Sequence, residues 1–395
     1  MPTRPPYGER GARRGLVADV RVLIVTVVHD PEDARIRHRE LRALLESGAQ
    51  VTYAAPFTAY GRTVPDGVTG VDLPRSVGRH RLPAIRAARS MIRRQARDHD
   101  VVLLHDPELL AAVIGLRRRR GPVVVWDVHE DTAAALSLKG WLPRPARPFA
   151  ALAIRLAEAW AERRVKLLLA EDAYVQRFRR GHPVVPNSVI VPDETPPPPG
   201  QDRAVYVGRL TRARGALDMV ELGRLLEGQV RVELVGSADS DVSAQLRQAH
   251  QEGWVLHHGF LPNAQALKLL DGALAGLSLL HDEPNYAHSR PTKAMEYMAH
   301  GIPVVTTPNA VSVELVQRYG CGVVVPFEDP AAAAKSLLEL RADDHRRRRM
   351  GAAGRAAALR DLDWSRDGER FSETLQGWVR QLAPPASPRR AAHGT

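Results

Sequence analysis

The chain holds a single cysteine, Cys321, among 395 residues. One thiol can close no disulfide framework and no zinc site built on several cysteines, so a reducing, cytoplasmic setting is expected. No apolar run reaches the roughly 18 residues of a membrane span, and the opening MPTRPPYGERGARRG lacks the apolar stretch of a signal peptide. Neither a transmembrane helix nor a cleaved leader is expected. Lysine is scarce as well: five lysines stand among 56 basic side chains, and the rest are arginine. The arginine runs at 117–120 and 346–349 carry none of the interleaved aromatics on which bases stack, so no nucleic acid is expected as a partner. The charge is uneven, however. Residues 1–195 hold 32 basic and 22 acidic side chains and residues 196–395 hold 24 and 23, so the first half carries nearly all of the net +11. That asymmetry suggests an anionic partner for the first half, such as a membrane surface or a phosphorylated acceptor.

What is present is an alternation of short apolar runs and amphipathic helices. Runs at 20–28 (VRVLIVTVV), 51–55, 101–104 (VVLL), 123–128 and 166–170 read as parallel strands buried on both faces, with helices at 35–47, 107–118 and 149–163 between them. Four consecutive prolines then mark 189–202 as an extended linker. The alternation restarts with strands at 204–207, 230–235, 274–280 and 302–306 and helices at 215–226, 242–251 and 292–300. The pattern predicts an α/β chain of two Rossmann-like, doubly wound domains, 20–188 and 203–363. A last helix at 364–383 is expected to return to the first domain, between disordered tails at 1–19 and 384–395. The segment 79–97 puts Ile85, Ala88 and Ile92 on one stripe among seven arginines, which suits core packing or a membrane-facing basic helix.

Two stretches carry chemistry. In 281–307 (HDEPNYAHSRPTKAMEYMAHGIPVVTT) a strand ends, a loop crosses, and a helix opens with Ser289 as its expected N-cap and Pro291 in its first turn. Thr292, Lys293 and Glu296 then share one face near the helix N-terminus. Free backbone N–H groups and the positive end of the helix dipole favour phosphate there, and Lys293 adds a charge. The Glu296 carboxylate can accept two hydrogen bonds from a vicinal diol such as a ribose. In 206–215 (YVGRLTRARG) a glycine turn releases Arg209 at a strand tip, followed by Arg212 and Arg214, a set able to clamp a diphosphate. Asp239-Ser240-Asp241 has the spacing of a metal-binding D-x-D motif but begins a helix, where aspartates cap, so no metal is expected.

These residues resemble glycosyltransferase family 4, and the similarity extends over nearly the whole chain, including HDPELL and VVWDVHEDTAAALSLKGWLP; the bacterial branch that builds polysaccharides and decorates metabolites is nearest. The resemblance implies the GT-B fold, two Rossmann-like domains facing each other across a cleft, with a UDP- or GDP-sugar as donor and no cofactor. It implies that Arg209 binds the diphosphate, that Arg214 stands where many members have lysine, and that Glu296 is the second glutamate of an E-x7-E motif. The first glutamate of that motif is replaced by His288. His129 matches the histidine such enzymes point at the donor sugar, and Glu130 could orient an acceptor hydroxyl. The Gly-Gly turn after the family's first strand is absent, its place taken by HDPEDAR, whose His29, Asp30, Asp33 and Arg35 could touch acceptor or sugar.

The expected activity is a retaining, metal-independent hexosyl transfer to the hydroxyl of a lipid-linked, polysaccharide or small-molecule acceptor, with His129, Arg209 and Lys293 as the catalytic set. Thr292 joins the nucleotide contacts, and His288 and Ser289 join His129 and Glu130 at the sugar or acceptor. Peripheral contact with an anionic membrane is part of this expectation. A nucleotide-sugar epimerase of the same fold is the alternative, and a non-catalytic homologue acting as a partner protein is another.

Overall fold

The computed structural model describes residues 20–116, 121–129, 147–283, 286 and 290–382. The expected tails at 1–19 and 384–395, and the arginine run 117–120, lie outside them. Among the described residues, twelve strands form two parallel sheets. In the first, β1 (Arg21–Val25), β2 (Gln50–Ala55), β3 (Thr69–Asp72), β4 (Val101–Leu104), β5 (Val123–Val128) and β6 (Lys166–Leu169) are ordered β3-β2-β1-β4-β5-β6. In the second, β7 (Arg203–Val207), β8 (Arg231–Val235), β9 (Val255–Gly259), β10 (Ala275–Ser278), β11 (Val304–Thr306) and β12 (Gly322–Val324) are ordered β12-β11-β10-β7-β8-β9. Each sheet reverses its strand order once, between β1 and β4 and between β7 and β10. At such reversals the loops beyond the strand carboxyl ends diverge and leave room for a ligand.

The chain divides into two compact units: residues 187–366 form one, and the described residues before 187 join those after 366 in the other. Strand interiors such as Val22–Val25 and Val101–Leu104 are fully buried, as parallel strands covered by helices on both faces must be. The helix Arg81–Gln95 turns Ala84, Ala88, Met91 and Ile92 into the core of the first unit, so Ala88 and Ile92 of that stripe pack there while Ile85 is only partly buried. The helix Trp364–Leu382 contributes Ser372, whose hydroxyl donates to the carbonyl of Ala43 in the same unit.

Three differences from the sequence reading have local causes. The helix expected over 107–118 is only a 3-10 turn, Pro107–Ala111, because Pro107 can start a helix and Gly115 adopts a left-handed φ of 85° that ends the winding. The proline segment 189–202 is extended but not a free tether: Val189 pairs with the chain at Leu362 and Trp364, and Gly200 donates to Gly272. The helix of the 281–307 stretch spans Thr292–Ala299 with Pro291 at its N-cap and no side-chain cap, while Ser289 lies outside the described residues.

Cys321 is buried between β11 and the helix Asp344–Ala357, and burial pushes its thiol up to about 12. A thiolate is therefore scarce at neutral pH. A disulfide-exchange reagent at pH 7.5 should leave Cys321 unlabelled in the native protein and label it stoichiometrically in denaturant; rapid native labelling would contradict the packing of this core.

Candidate functional site

In the C-terminal unit the two motifs meet at the strand-order reversal. Gly208 follows β7 with φ 146°, a value side chains rarely adopt, and a Cβ there would run into the Lys293 side chain. Lys293 can occupy this place only because residue 208 has no side chain. Its ammonium nitrogen lies 5.7 Å from the centre of the Tyr206 ring. The helix carrying Lys293 is fixed from below by Tyr297, whose ring covers Gly276 of β10 and whose hydroxyl donates to the Leu277 carbonyl at 2.8 Å. Thr292, Lys293 and Glu296 are each half-buried at the start of this helix.

Arg214 ends a 3-10 turn capped by Thr211 and packs beside the hydroxyls of Tyr206 and Tyr286, so its guanidinium is held without a carboxylate. Burial pushes the Lys293 ammonium down to about 8; the nearby Arg214 charge adds to this and Glu296 opposes it. Cations crowded in this way, next to uncapped helix N–H groups, form a site whose charge an anion would relieve. Arg209 projects into solvent, 63% exposed, with its Nε 2.6 Å from Asp239 Oδ1. Asp239 of the D-x-D look-alike is thus the present partner of the expected diphosphate arginine. Glu130, His288 and Ser289 lie outside the described residues.

The N-terminal unit holds a second assembly that sequence reasoning saw only at its edge. His129, at the tip of β5, has Nδ1 2.9 Å from Asp127 Oδ2 and Nε2 3.1 Å from His29 Nε2. His29 Nε2 is 3.3 Å from Asp106 Oδ1. Arg35 lies 4% exposed and grips Asp127 with two bonds, Nε to Oδ2 at 2.7 Å and Nη2 to Oδ1 at 2.6 Å. It also reaches Glu40 Oε1 at 3.0 Å. The HDPEDAR loop replaces a glycine turn by two aspartate-capped turns, in which Asp30 accepts from Glu32 N and Asp33 from Arg35 N and Ile36 N. The following residues Ile36–Leu41 wind as a π-helix, with Glu40 N bonded to the Arg35 carbonyl, and this wide turn directs Glu40 inward.

His105, Asp127 and His129 offer three possible metal-ligand atoms within 4.8 Å of one another. Arg35 already occupies both oxygens of Asp127, and a divalent cation there would lie against a fixed guanidinium. The donor set suits a network of ion pairs better than a metal. Sequence reading named His129, His29, Asp33 and Arg35 but missed Glu40, His105, Asp106 and Asp127. A signal was available: Asp127 lies inside the run VVVWDV, and a carboxylate on a strand buried on both faces requires a buried cation.

The pH dependence of the C-terminal site follows from Lys293. Its ammonium loses charge as the pH rises through about 8, and an anion that holds the charged form should take up protons on binding at pH 8–9. Pyrophosphate titrated calorimetrically should bind roughly tenfold more weakly at pH 9.5 than at pH 7, and Lys293→Met should remove that step, since hydrogen bonds to charged groups contribute about 1.5–3 kcal/mol. Equal wild-type affinities at the two pH values would contradict the site.

Residues 191–357 match the family described as glycosyl transferases group 1. The phosphatidyl-myo-inositol mannosyltransferase of Mycobacterium leprae is 28% identical over 359 residues, covering 85% of this chain and 87% of that protein. A putative colanic acid biosynthesis glycosyltransferase, WcaL of Salmonella typhimurium, is 30% identical over 147 residues, 36% of each chain. Among solved structures, sucrose-phosphate synthase from Thermosynechococcus elongatus superposes with a TM-score of 0.69 at 15% identity, covering 92% of this chain and all of that one. HepE of Anabaena, in complex with UDP-glucose, superposes with a TM-score of 0.64 at 15% identity, covering 90% of this chain and 99% of that one. With its two Rossmann-like sheets and its group 1 domain, the chain is a glycosyltransferase of the GT-B fold, similar to family 4.

Proposed function

We propose that this glycosyltransferase takes a hexose-type unit from a UDP- or GDP-sugar and transfers it, with retention and without a metal ion, to an acceptor hydroxyl. The observation that carries the reading is the cationic pocket formed by Lys293, Arg214 and the uncapped helix at Thr292, beside the exposed Arg209. HepE, which shares the fold, is solved with UDP-glucose, which supports a nucleotide sugar here. In this reading the diphosphate takes Arg209 from Asp239 and rests against Lys293, Arg214 and the helix N–H groups. Glu296 accepts from the ribose hydroxyls, and His129 is the donor-sugar contact.

Charge grows on the diphosphate as the bond to the sugar breaks. Cations already in place stabilise that charge more in the transition state than in the ground state, and this difference speeds the reaction. The departing phosphate takes the acceptor proton, so no separate carboxylate base is required. The acceptor belongs to polysaccharide, glycolipid or natural-product synthesis. Among the described residues no helix is long and apolar enough to cross a membrane, and the basic N-terminal half supplies a peripheral contact with anionic lipid.

Glu296→Gln keeps the size of the side chain and removes the charged acceptor. Nucleotide affinity should fall by roughly tenfold to a hundredfold, as expected for a hydrogen bond to a charged group. The loss should be similar for the nucleoside and its diphosphate, whereas Arg209→Ala should weaken the diphosphate more than the nucleoside. Calorimetry on the two folded variants separates these effects. Unchanged affinity in Glu296→Gln would return Glu296 to the role of a surface partner of Lys293.

A further inference from the structure

The cluster at the strand tips of the N-terminal unit buries Arg35, Glu40, His105, Asp106 and Asp127 almost completely. Burying so many ionisable groups is costly, and apolar residues of similar volume would often hold the fold as well or better. The arrangement has a direction, running from Arg35 through Asp127 to the ring of His129. We propose that Asp127 and Arg35 are positioning residues for His129, which fix the ring nitrogen that faces the protein and leave Nε2 as the donor.

His129 Nδ1 faces two acceptors of the same residue, Asp127 Oδ2 at 2.9 Å and the Asp127 carbonyl at 3.2 Å, so this nitrogen carries a proton. The two-pronged grip of Arg35 prevents Asp127 from turning away, and a further bond from Arg35 Nη1 to the Val185 carbonyl at 3.1 Å fixes the guanidinium in turn. Burial works against the Asp127 charge, but Arg35, His105 and His129 outweigh it and hold the carboxyl well below its usual range. Burial likewise opposes a charge on His129, yet the bond to Asp127 raises it to about 9. The 3.1 Å between the Nε2 atoms of His129 and His29 has room for one proton, which a doubly protonated His129 can supply.

The other groups facing His129 are accounted for. Asp33 favours its charge and Arg35 opposes it. His105, with its ring centre 5.7 Å away, is pushed towards the neutral form by burial. Burial, and after it the Asp127 charge, hold the Glu40 carboxyl well above its usual range. Asp106 Oδ1 lies 3.3 Å from His29 Nε2, the same atom that faces His129. A sugar hydroxyl arriving at His129 therefore replaces His29 as the acceptor of a charged N–H. This last step rests on the proposed role of His129 as the donor-sugar contact.

The test is histidine-selective nitrogen-15 NMR on the full-length protein, with His129→Gln to assign the signal. Wild-type His129 should hold its Nδ1 proton and titrate near pH 9; titration at or below the ordinary value of about 6.5 would overturn the proposal whether or not any variant folds. In Asp127→Asn the His129 pKa should fall by at least about one unit, and kcat by roughly tenfold to a hundredfold with donor KM little changed, because His129 then loses the Nε2 proton it donates. Arg35→Lys keeps the charge but loses the fork, and should produce a smaller shift of the same sign. An unmoved His129 pKa in a folded Asp127→Asn protein would also overturn the proposal. A lowered pKa with kcat intact would instead overturn the donor-sugar role of His129 and leave its contact with Asp127 standing.

Discussion

Parallel pairing governs this molecule. A strand that must lie parallel to its neighbour can return only by a crossover, so every strand of a sheet ends at the same edge. Both sheets thereby collect the loops after their strands on one side, and each opens a crevice where the strand order reverses. The residues with chemical potential sit at those two reversals. Arg209 and Lys293 flank the β7 and β10 ends, and His29, His105 and His129 follow β1, β4 and β5. Backbone direction brings together residues about 80 to 100 positions apart, such as Thr26 with Asp106 and His29 with His129.

The two crevices solve opposite electrostatic problems. At the C-terminal one, cations are left short of counter-charge: Arg214 is held by tyrosines and Lys293 has its ammonium pushed down by burial. Such a site stores unfavourable energy that an anionic ligand releases. At the N-terminal one, charge is balanced internally, with Asp127 between Arg35 and His129 and Asp106 accepting from Thr26, Val27 and Val28. That balance makes a rigid frame, since each group is oriented by its neighbour before any ligand arrives. Together they fit a transferase, in which one partner must be held by its charge and the other must be met in one geometry.

The two parallel α/β domains were legible because buried parallel strands leave continuous apolar runs, and 20–28, 101–104 and 204–207 are such runs. Strands β3, β9 and β12 were not legible: TGVD, VLHHG and GVV lie at sheet edges, partly exposed, so burial writes no such run into them. The pocket of Lys293 could be read from spacing, because helical geometry alone puts 292, 293 and 296 on one face. That Gly208 is the space Lys293 fills could not be read, since it depends on contact between two motifs 85 positions apart. Glu40 was hidden for another reason: a regular α-helix over 35–47 would give it a different direction from the π-turn that carries it inward. The partnership of Arg209 with Asp239 was equally out of reach, because a D-x-D spacing reads alike whether its first carboxylate caps a helix, binds a metal or pairs with an arginine across a loop.

The proposal that fixed arginine and lysine charges replace the divalent metal of other sugar-transferring enzymes has a direct consequence. It is tested most directly by following nucleoside-diphosphate release from a panel of UDP- and GDP-sugars by protein stripped with EDTA and assayed in its presence. The preferred donor should be turned over at the same rate with EDTA as with added magnesium or manganese. Turnover lost in EDTA and restored by either metal would contradict it.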